Sequence, residues 1–224
     1  MRISIVVPAL EESASITATL SALQPLRAQG HEVIVVDGGS GDATFLIARL
    51  LADRAYVTSA GRATQMNFGA GKAAGDVLLF LHADSLLPAG GAAAMVDAVT
   101  RGAAWGRFDV IIGGKPWVLK LVGAMMNLRS RLTGIATGDQ GMFVRRNLFE
   151  KVGGFPAIPL MEDVALSKAL KRMAGRPACL RTRVTTSGRR WEMHGPWRTI
   201  FTMWRLRLAY ALGADPAALA RHYR

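Results

Sequence analysis

Acidic side chains recur along this chain at places where folding could put them to chemical use. Asp37 closes the apolar run 32–36, Asp84 follows the run 77–81 by way of His82 and Ala83, and Asp163 stands behind Glu162 ahead of an amphipathic stretch. A carboxylate at the exit of a buried strand can hold a nucleobase or ribose edge. That use is open to Asp37, because Gly38, Gly39 and Gly41 admit close backbone approach and a following helix N-terminus favours phosphate. Asp84 is placed to hold a divalent cation bridging two phosphates. Asp163, or Glu162 beside it, could accept the proton of an acceptor hydroxyl as a general base. A helix N-terminus lowers a carboxylate pKa, so such a base would act by its position.

Cations accompany these acids. Arg62 opens the segment GRATQMN and can fork onto a phosphate, with Gln65 and Asn67 free to orient a ligand. The segment SGRRWEMHG offers Arg189 and Arg190 as a diphosphate clamp beside Trp191, and His194 as a further metal ligand. Each motif also has a plain structural reading. Asp42 would cap a polar turn, Asp84 would sit in a loop, Glu162 and Asp163 would complement a helix dipole, and 187–195 would be a solvated basic loop.

The elements that must position these residues follow from hydrophobic periodicity. Apolar runs at 2–7, 32–36, 54–58 and 77–81 read as strands, the first, second and fourth buried. Helical spacing at 13–27, with Ser13 as cap, and at 43–51 and 61–74 fills the gaps between them. Strand and helix alternating in this way specify a doubly wound α/β sheet, with ligands expected beyond the carboxyl ends of the strands. Loops 8–12, 37–42, 59–62 and 82–85 then converge on one crevice. The second half is less regular, with strands expected at 105–112, 141–145 and 179–184 and helices at 117–132, 162–173 and 197–212. No repeat or linker divides the 224 residues, which are expected to form a single domain, 1–224, of two lobes.

Charge separates the halves. Residues 1–100 hold 6 basic and 9 acidic side chains, and residues 101–224 hold 22 basic and 7 acidic, so the second half suits an anionic partner. Nucleic acid, an acidic membrane and a phosphorylated small molecule all satisfy that charge. A pure polyanion binder has no use for Asp37, Asp84 and Asp163 facing one crevice, so a basic nucleic-acid or membrane-surface module is the lesser alternative. The lone Cys179 cannot form an internal disulfide and suits a reducing, cytoplasmic setting. No signal peptide or membrane-spanning run is expected.

Taken in order, VVPALEE, VDGGSGDAT, GRATQMNFGA, LLFLHADSLLP, GDQGMFVRR, GGFPAIPLMEDVAL and TSGRRW resemble the family-two glycosyltransferases of GT-A fold over residues 5–191. More narrowly, the order of HAD, GDQ, LMED and RRW is similar to a small bacterial branch associated with arsenosugar biosynthesis. The resemblance implies a Rossmann-like mixed sheet, with 1–100 as the nucleotide-sugar half and 101–224 as the acceptor half. It implies that Pro8, Glu11, Asp37 and Arg62 line the nucleotide, that Asp84 holds a divalent cation (manganese or magnesium), and that Asp163 is the base. Arg189, Arg190 and Trp191 would lie beside the diphosphate. His82 stands where the family's metal motif has a first acid, Glu11-Glu12 where Asn-Glu is frequent, and Gly38 where a second Asp is common.

The implied activity is inverting transfer of a sugar from a UDP- or GDP-type donor to a hydroxyl of a small-molecule or lipid acceptor, with no nucleic-acid partner. A nucleotidyltransferase would use the same crevice and release pyrophosphate instead of nucleoside diphosphate. Trp197, Ile200, Phe201, Trp204, Leu208 and Leu212 recur at helical steps, which predicts an amphipathic helix. Packing of that stripe against the catalytic lobe, near residues 189–191, is the expectation, and peripheral contact with an acidic membrane face is the alternative.

Overall fold

The computed structural model describes residues 1–221. Its first half runs β1 (Ile3–Ala9), α1 (Ile16–Ala28), β2 (Glu32–Asp37), α2 (Thr44–Leu51), β3 (Arg54–Val57), α3 (Arg62–Lys72), β4 (Val77–Phe80), β5 (Ser85–Leu86) and α4 (Gly91–Thr100). The second half runs β6 (Trp105–Ile112), α5 (Val118–Thr133), a 3-10 turn (Gly138–Gln140), β7 (Met142–Arg145), α6 (Arg146–Lys151), α7 (Glu162–Ala174), β8 (Ala178–Thr186), α8 (Arg189–His194), α9 (Pro196–Ala211) and α10 (Pro216–Arg221).

All the strands join one sheet of order β3-β2-β1-β4-β7-β6-β8-β5. β1 pairs in parallel with β2 on one side and β4 on the other, so the chain reverses its winding at β1 and a crevice opens there. β7 runs antiparallel between β4 and β6 and makes the sheet mixed. Alternation along β1 explains the layers. Ile3, Ile5 and Val7 pack with Leu20, Leu23 and Leu79 on the α1, α2 and α4 side. Val6 packs with Met66, Phe80, Trp105 and Phe149 on the α3, α6 and α7 side.

Several expectations are corrected. Ser13 does not cap α1, which begins at Ile16; its N–H donates instead to Asp42 Oδ2 at 3.0 Å. Nor is Asp42 the N-cap of α2, which is Ala43; it folds the turn just before the helix, where its Oδ1 accepts the Thr44 N–H at 2.9 Å, and the bonds from Ser13 and Thr44 hold its pKa far below the usual carboxylate value. Residues 189–194, expected as a loop, form α8.

The largest correction concerns α9. It packs on the protein, but through Met203, Leu206, Ala209 and Tyr210 against Leu160, Met161 and Val164. Within the stripe expected to face the core, Ile200 alone packs inward, beside Val122 and Trp191, whereas Trp197, Phe201, Trp204, Leu208 and Leu212 are exposed.

At the sheet edge opposite the crevice, Glu32 is fully buried at the start of β2. Its carboxylate accepts the Gly75 N–H at 3.2 Å and faces Arg2 at 3.6 Å and Arg54 at 4.0 Å. Burial raises its pKa, but the bonds from Ser4 and Ala74 and the two arginines outweigh burial, leaving it below 4.5. A folded-state pKa below the unfolded one adds stability above the unfolded pKa, and that stability is lost as pH falls through the folded value. We therefore expect Glu32→Gln to lower stability at pH 7 by about 1–3 kcal/mol and to flatten the acid limb of melting temperature against pH below about 4.5. Parallel acid limbs in the two proteins would contradict this.

Candidate active site

Loops at the carboxyl ends of β1 and β2 are stitched to one another. Glu11 N–H donates to Ser40 Oγ at 2.9 Å, Glu12 N–H donates to Thr44 Oγ1 at 2.8 Å, and Gly41 N–H donates to Glu11 Oε1 at 2.6 Å. Glu11 adopts φ 54°, a strained left-handed conformation that these bonds enforce. Asp37 is fully buried. Its Oδ1 accepts the N–H groups of Gly39 and Ser40 at 2.7 and 2.6 Å, which folds the turn, and its buried Oδ2 has no partner among the described residues.

Gln65 and Asn67 are scaffold residues, contrary to the expectation that they orient a ligand. The Gln65 amide donates to Ala9 O and Val36 O, both at 2.8 Å, and ties β1 to β2. Asn67 exchanges two bonds with the backbone of Phe155 at 2.8 and 2.9 Å. Arg62 does reach the site, with its Nε 3.3 Å from Glu162 Oε1.

Asp84 lies beyond β4 and is held near the rim by the β5–β8 pair, where Ser85 Oγ donates to Thr186 Oγ1 at 3.0 Å. Burial raises the Asp84 pKa; His82 opposes, and the Glu12 and Asp139 charges add to the rise. Asp139, on the 3-10 turn, carries no role in the sequence reading beyond its place in the GDQ motif. Its Oδ1 lies 3.4 Å from His82 Nδ1. Burial disfavours the charge on both partners, yet their mutual bond prevails, so the histidine pKa is raised and the Asp139 pKa lowered. The other histidine nitrogen abuts Gly138, where an added Cβ would come within 2.5 Å of it. His82 is thus bonded through Nδ1 and closely flanked at its other edge by Gly138.

Asp163 is oriented by backbone donors, with Gly138 N–H reaching Oδ2 at 2.9 Å and Val164 N–H reaching Oδ1 at 2.7 Å. Glu162 is buried, and its pKa is raised by burial, against Arg62 and with Asp163. The helix dipole expected to lower this pair therefore does not prevail at Glu162. Both acids line a cavity of about 480 Å³ walled by Val122, Met125 and Met126 of α5, Ile200, Met203 and Trp204 of α9, and Trp191. Arg129, which sequence reasoning missed, also lines it. Two of its guanidinium nitrogens are buried without partners among the described residues, and burial holds its pKa below the usual guanidinium value. No spacing signal singles Arg129 out within α5.

Short helix α8 divides this cavity from a groove of about 320 Å³ that holds Asp84, Thr186 and Arg189. Arg189 Nη2 pairs with Glu12 Oε1 at 2.8 Å, whereas Trp191 lines the larger cavity. Arg190 is half-buried on the same helix, and His194 is exposed at its far end, roughly 7.5 Å along the axis from Arg189. Pro8 lies buried in β1, beside Val36 of β2. Among the described residues no group of three or more His, Cys, Asp or Glu is arranged to hold a metal ion by itself. No helix among them is long and apolar enough to cross a membrane.

A mixed sheet with its parallel winding switched at β1, carboxylates along the carboxyl edge and a cavity behind them is an architecture of GT-A type. The profile of the family described as "Glycosyl transferase family 2" matches residues 4–153, and the chain belongs to that family. Solved structures share the fold. Residues 1–349 of S. aureus TarS are 20% identical with TM-score 0.68, covering 84% of this chain and 61% of that one. The mannosyltransferase PcManGT from Pyrobaculum calidifontis, solved with GDP-Man and Mn2+, is 23% identical with TM-score 0.64, covering 93% and 61%. Glucosyl-3-phosphoglycerate synthase from Mycobacterium tuberculosis, solved with Mn2+, UDP and glucosyl-3-phosphoglycerate, is 19% identical with TM-score 0.61, covering 83% and 70%. The chain thus spans about three fifths of the length of TarS 1–349 and PcManGT. No curated protein matches the sequence significantly.

The position of α8 depends on Gly188, where an added Cβ would stand 1.9 Å from Gly113 O. Gly188→Ala is expected to cost about 1–3 kcal/mol in urea unfolding, because that clash is with backbone. Gly71→Ala, where a Cβ meets nothing within 4 Å on α3, should be neutral or stabilising by up to about 1 kcal/mol. Equal losses in the two variants would show that α8 is not pinned at Gly188.

Proposed function

We propose that this family-two glycosyltransferase is inverting, taking a sugar from a UDP- or GDP-type donor and placing it on a hydroxyl in the larger cavity. The observation that carries this reading is Asp163, held by two backbone N–H groups at the wall of a mostly apolar cavity, with Asp84 and Arg189 across α8. Residues 1–100 would bind the donor and 101–224 the acceptor within one domain. Asp37 Oδ2, buried and unpartnered, is suited to a ring N–H of uracil or guanine or to a ribose hydroxyl. Glu11, Pro8 and Arg62 would complete that subsite. The complexes of TarS with UDP-GlcNAc and of PcManGT with GDP-Man support a nucleotide-sugar donor and leave both bases open.

In the step itself the acceptor hydroxyl gives its proton to Asp163, its oxygen bonds to the anomeric carbon, and the electron pair of the old bond leaves on the diphosphate. General-base help of this kind contributes about 10² to 10⁴ in rate. Arg189 and Arg190 would neutralise the departing charge, and Trp191 would wall the sugar. Crowding of Asp84 by Glu12 and Asp139 fits a divalent cation there, with diphosphate and water as remaining ligands. Bound manganese or magnesium would supply Lewis-acid stabilisation of the leaving group. We assign its carboxylate to Asp84 and leave His194, exposed at the end of α8, outside the shell. The order of the HAD, GDQ, LMED and RRW motifs supports the narrower placement in the arsenosugar-associated bacterial branch.

Thermal shift against uridine, guanosine, adenosine and thymidine diphosphates, with and without manganese, tests the donor reading, since a ligand that binds the native state stabilises it. Asp84→Asn is expected to lose nucleotide and manganese stabilisation together. Asp163→Asn should keep both and lower turnover about 10² to 10⁴-fold. Equal loss of nucleotide binding in the two variants would remove this division of roles.

A further inference from the structure

Two helices present long apolar stripes to solvent. On α5 the stripe is Leu121, Met125, Leu128 and Leu132, preceded by Trp117 at 74% exposure. On α9 it is Trp197, Phe201, Trp204 and Leu208, with Phe201 at 72% exposure and Leu212 just beyond. Steps of three and four place each set on one helix face. Contiguous apolar surface of this size marks a contact site.

Both stripes reach the acceptor cavity. Met125 and Trp204 belong to the stripes and also line the cavity, so its wall continues directly into the two exposed faces. The charges around them have one sign. Lys120 on α5 and Arg198 and Arg205 on α9 are exposed beside them, Arg129 and Arg207 line the cavity between the helices, Arg131 is paired with Asp109, and neither helix holds an acidic residue. A second copy of this chain docking face to face would bring these cations against their own kind. An anionic bilayer surface complements them, because indole and phenyl rings enter the headgroup boundary while arginine stems reach the phosphates.

We propose that the α5–α9 face docks on an anionic lipid bilayer and opens the acceptor cavity toward it. The mode is peripheral, since no described helix can span a membrane. Resting on the glycosyl-transfer reading, this makes the acceptor a hydroxyl-bearing amphiphile whose apolar part lies along Met125 and Trp204.

Flotation with phosphatidylcholine vesicles, with and without phosphatidylglycerol, tests the docking without any donor or acceptor. The protein is expected to float with anionic vesicles and to be released by salt. Arg198→Gln/Arg205→Gln should lower partitioning about 30-fold at low salt, and Trp197→Ala/Phe201→Ala should abolish it. All four side chains are exposed and line neither cavity, so circular dichroism and nucleotide-dependent thermal shift should match the parent. Absence of flotation by the parent protein, flotation indifferent to both double variants, or size-exclusion elution as a dimer that Trp197→Ala/Phe201→Ala dissociates would each overturn the proposal. Because donor binding is measured separately, failure of the parent protein to float while its nucleotide stabilisation is intact would refute the docking alone.

Discussion

Like charge gathered at one edge of the sheet is the constraint on which the rest of the site depends. Glu11, Glu12, Asp37, Asp84, Asp139, Glu162 and Asp163 all stand at the carboxyl ends of strands or on the turns and helix starts beside them. Left alone they would repel one another and any phosphate brought near. The fold gives most of them a distinct partner. Glu12 takes Arg189, Glu162 takes Arg62, Asp139 takes His82, and Asp37 and Asp163 take backbone N–H groups. Asp84 has its pKa raised chiefly by burial, and the charges of Glu12 and Asp139 add to the rise against His82 and Arg189. The proposed cation and diphosphate would relieve that crowding.

Helix α8 converts this edge into two compartments. Arg189 and Trp191 lie two residues apart, so a helix turns them to nearly opposite sides, one toward the Asp84 groove and the other into the apolar cavity. A loop would not fix that divergence. Gly188 allows the helix to start hard against Gly113, and Glu192 secures it by accepting the Lys115 N–H at 2.8 Å. The crevice at the β1 switch point and the cavity behind it thereby acquire their partition from a few residues.

Much of this was legible in the sequence because burial left a strong mark. β1, β2 and β4 are apolar runs covered on both faces, and Asp37, Asp84 and Asp163 stand at their exits or at a helix start, as read. α4 escaped because Gly91–Thr100 is so rich in alanine that it shows little contrast between faces, and β5 because two residues carry no period. Gln65 and Asn67 looked like ligand-binding amides because their partners, carbonyls of β1, β2 and residue 155, are remote in sequence. The face of α9 was misread for a related reason. The helix has two apolar sides, and only tertiary packing on Leu160 and Val164 decides that Met203 and Leu206 are inside while Trp197 and Phe201 are out.

Hydrogen–deuterium exchange, compared with and without UDP or GDP in the presence of manganese, tests most directly the claim that the acidic edge at the β1 switch point is the donor site. Slowed exchange is predicted in residues 9–13, 37–42, 82–86 and 187–194, where the loops and α8 surround Asp37, Asp84 and Arg189. Protection confined to α5 and α9, or none at the ends of β1, β2 and β4 under saturating nucleotide, would contradict it.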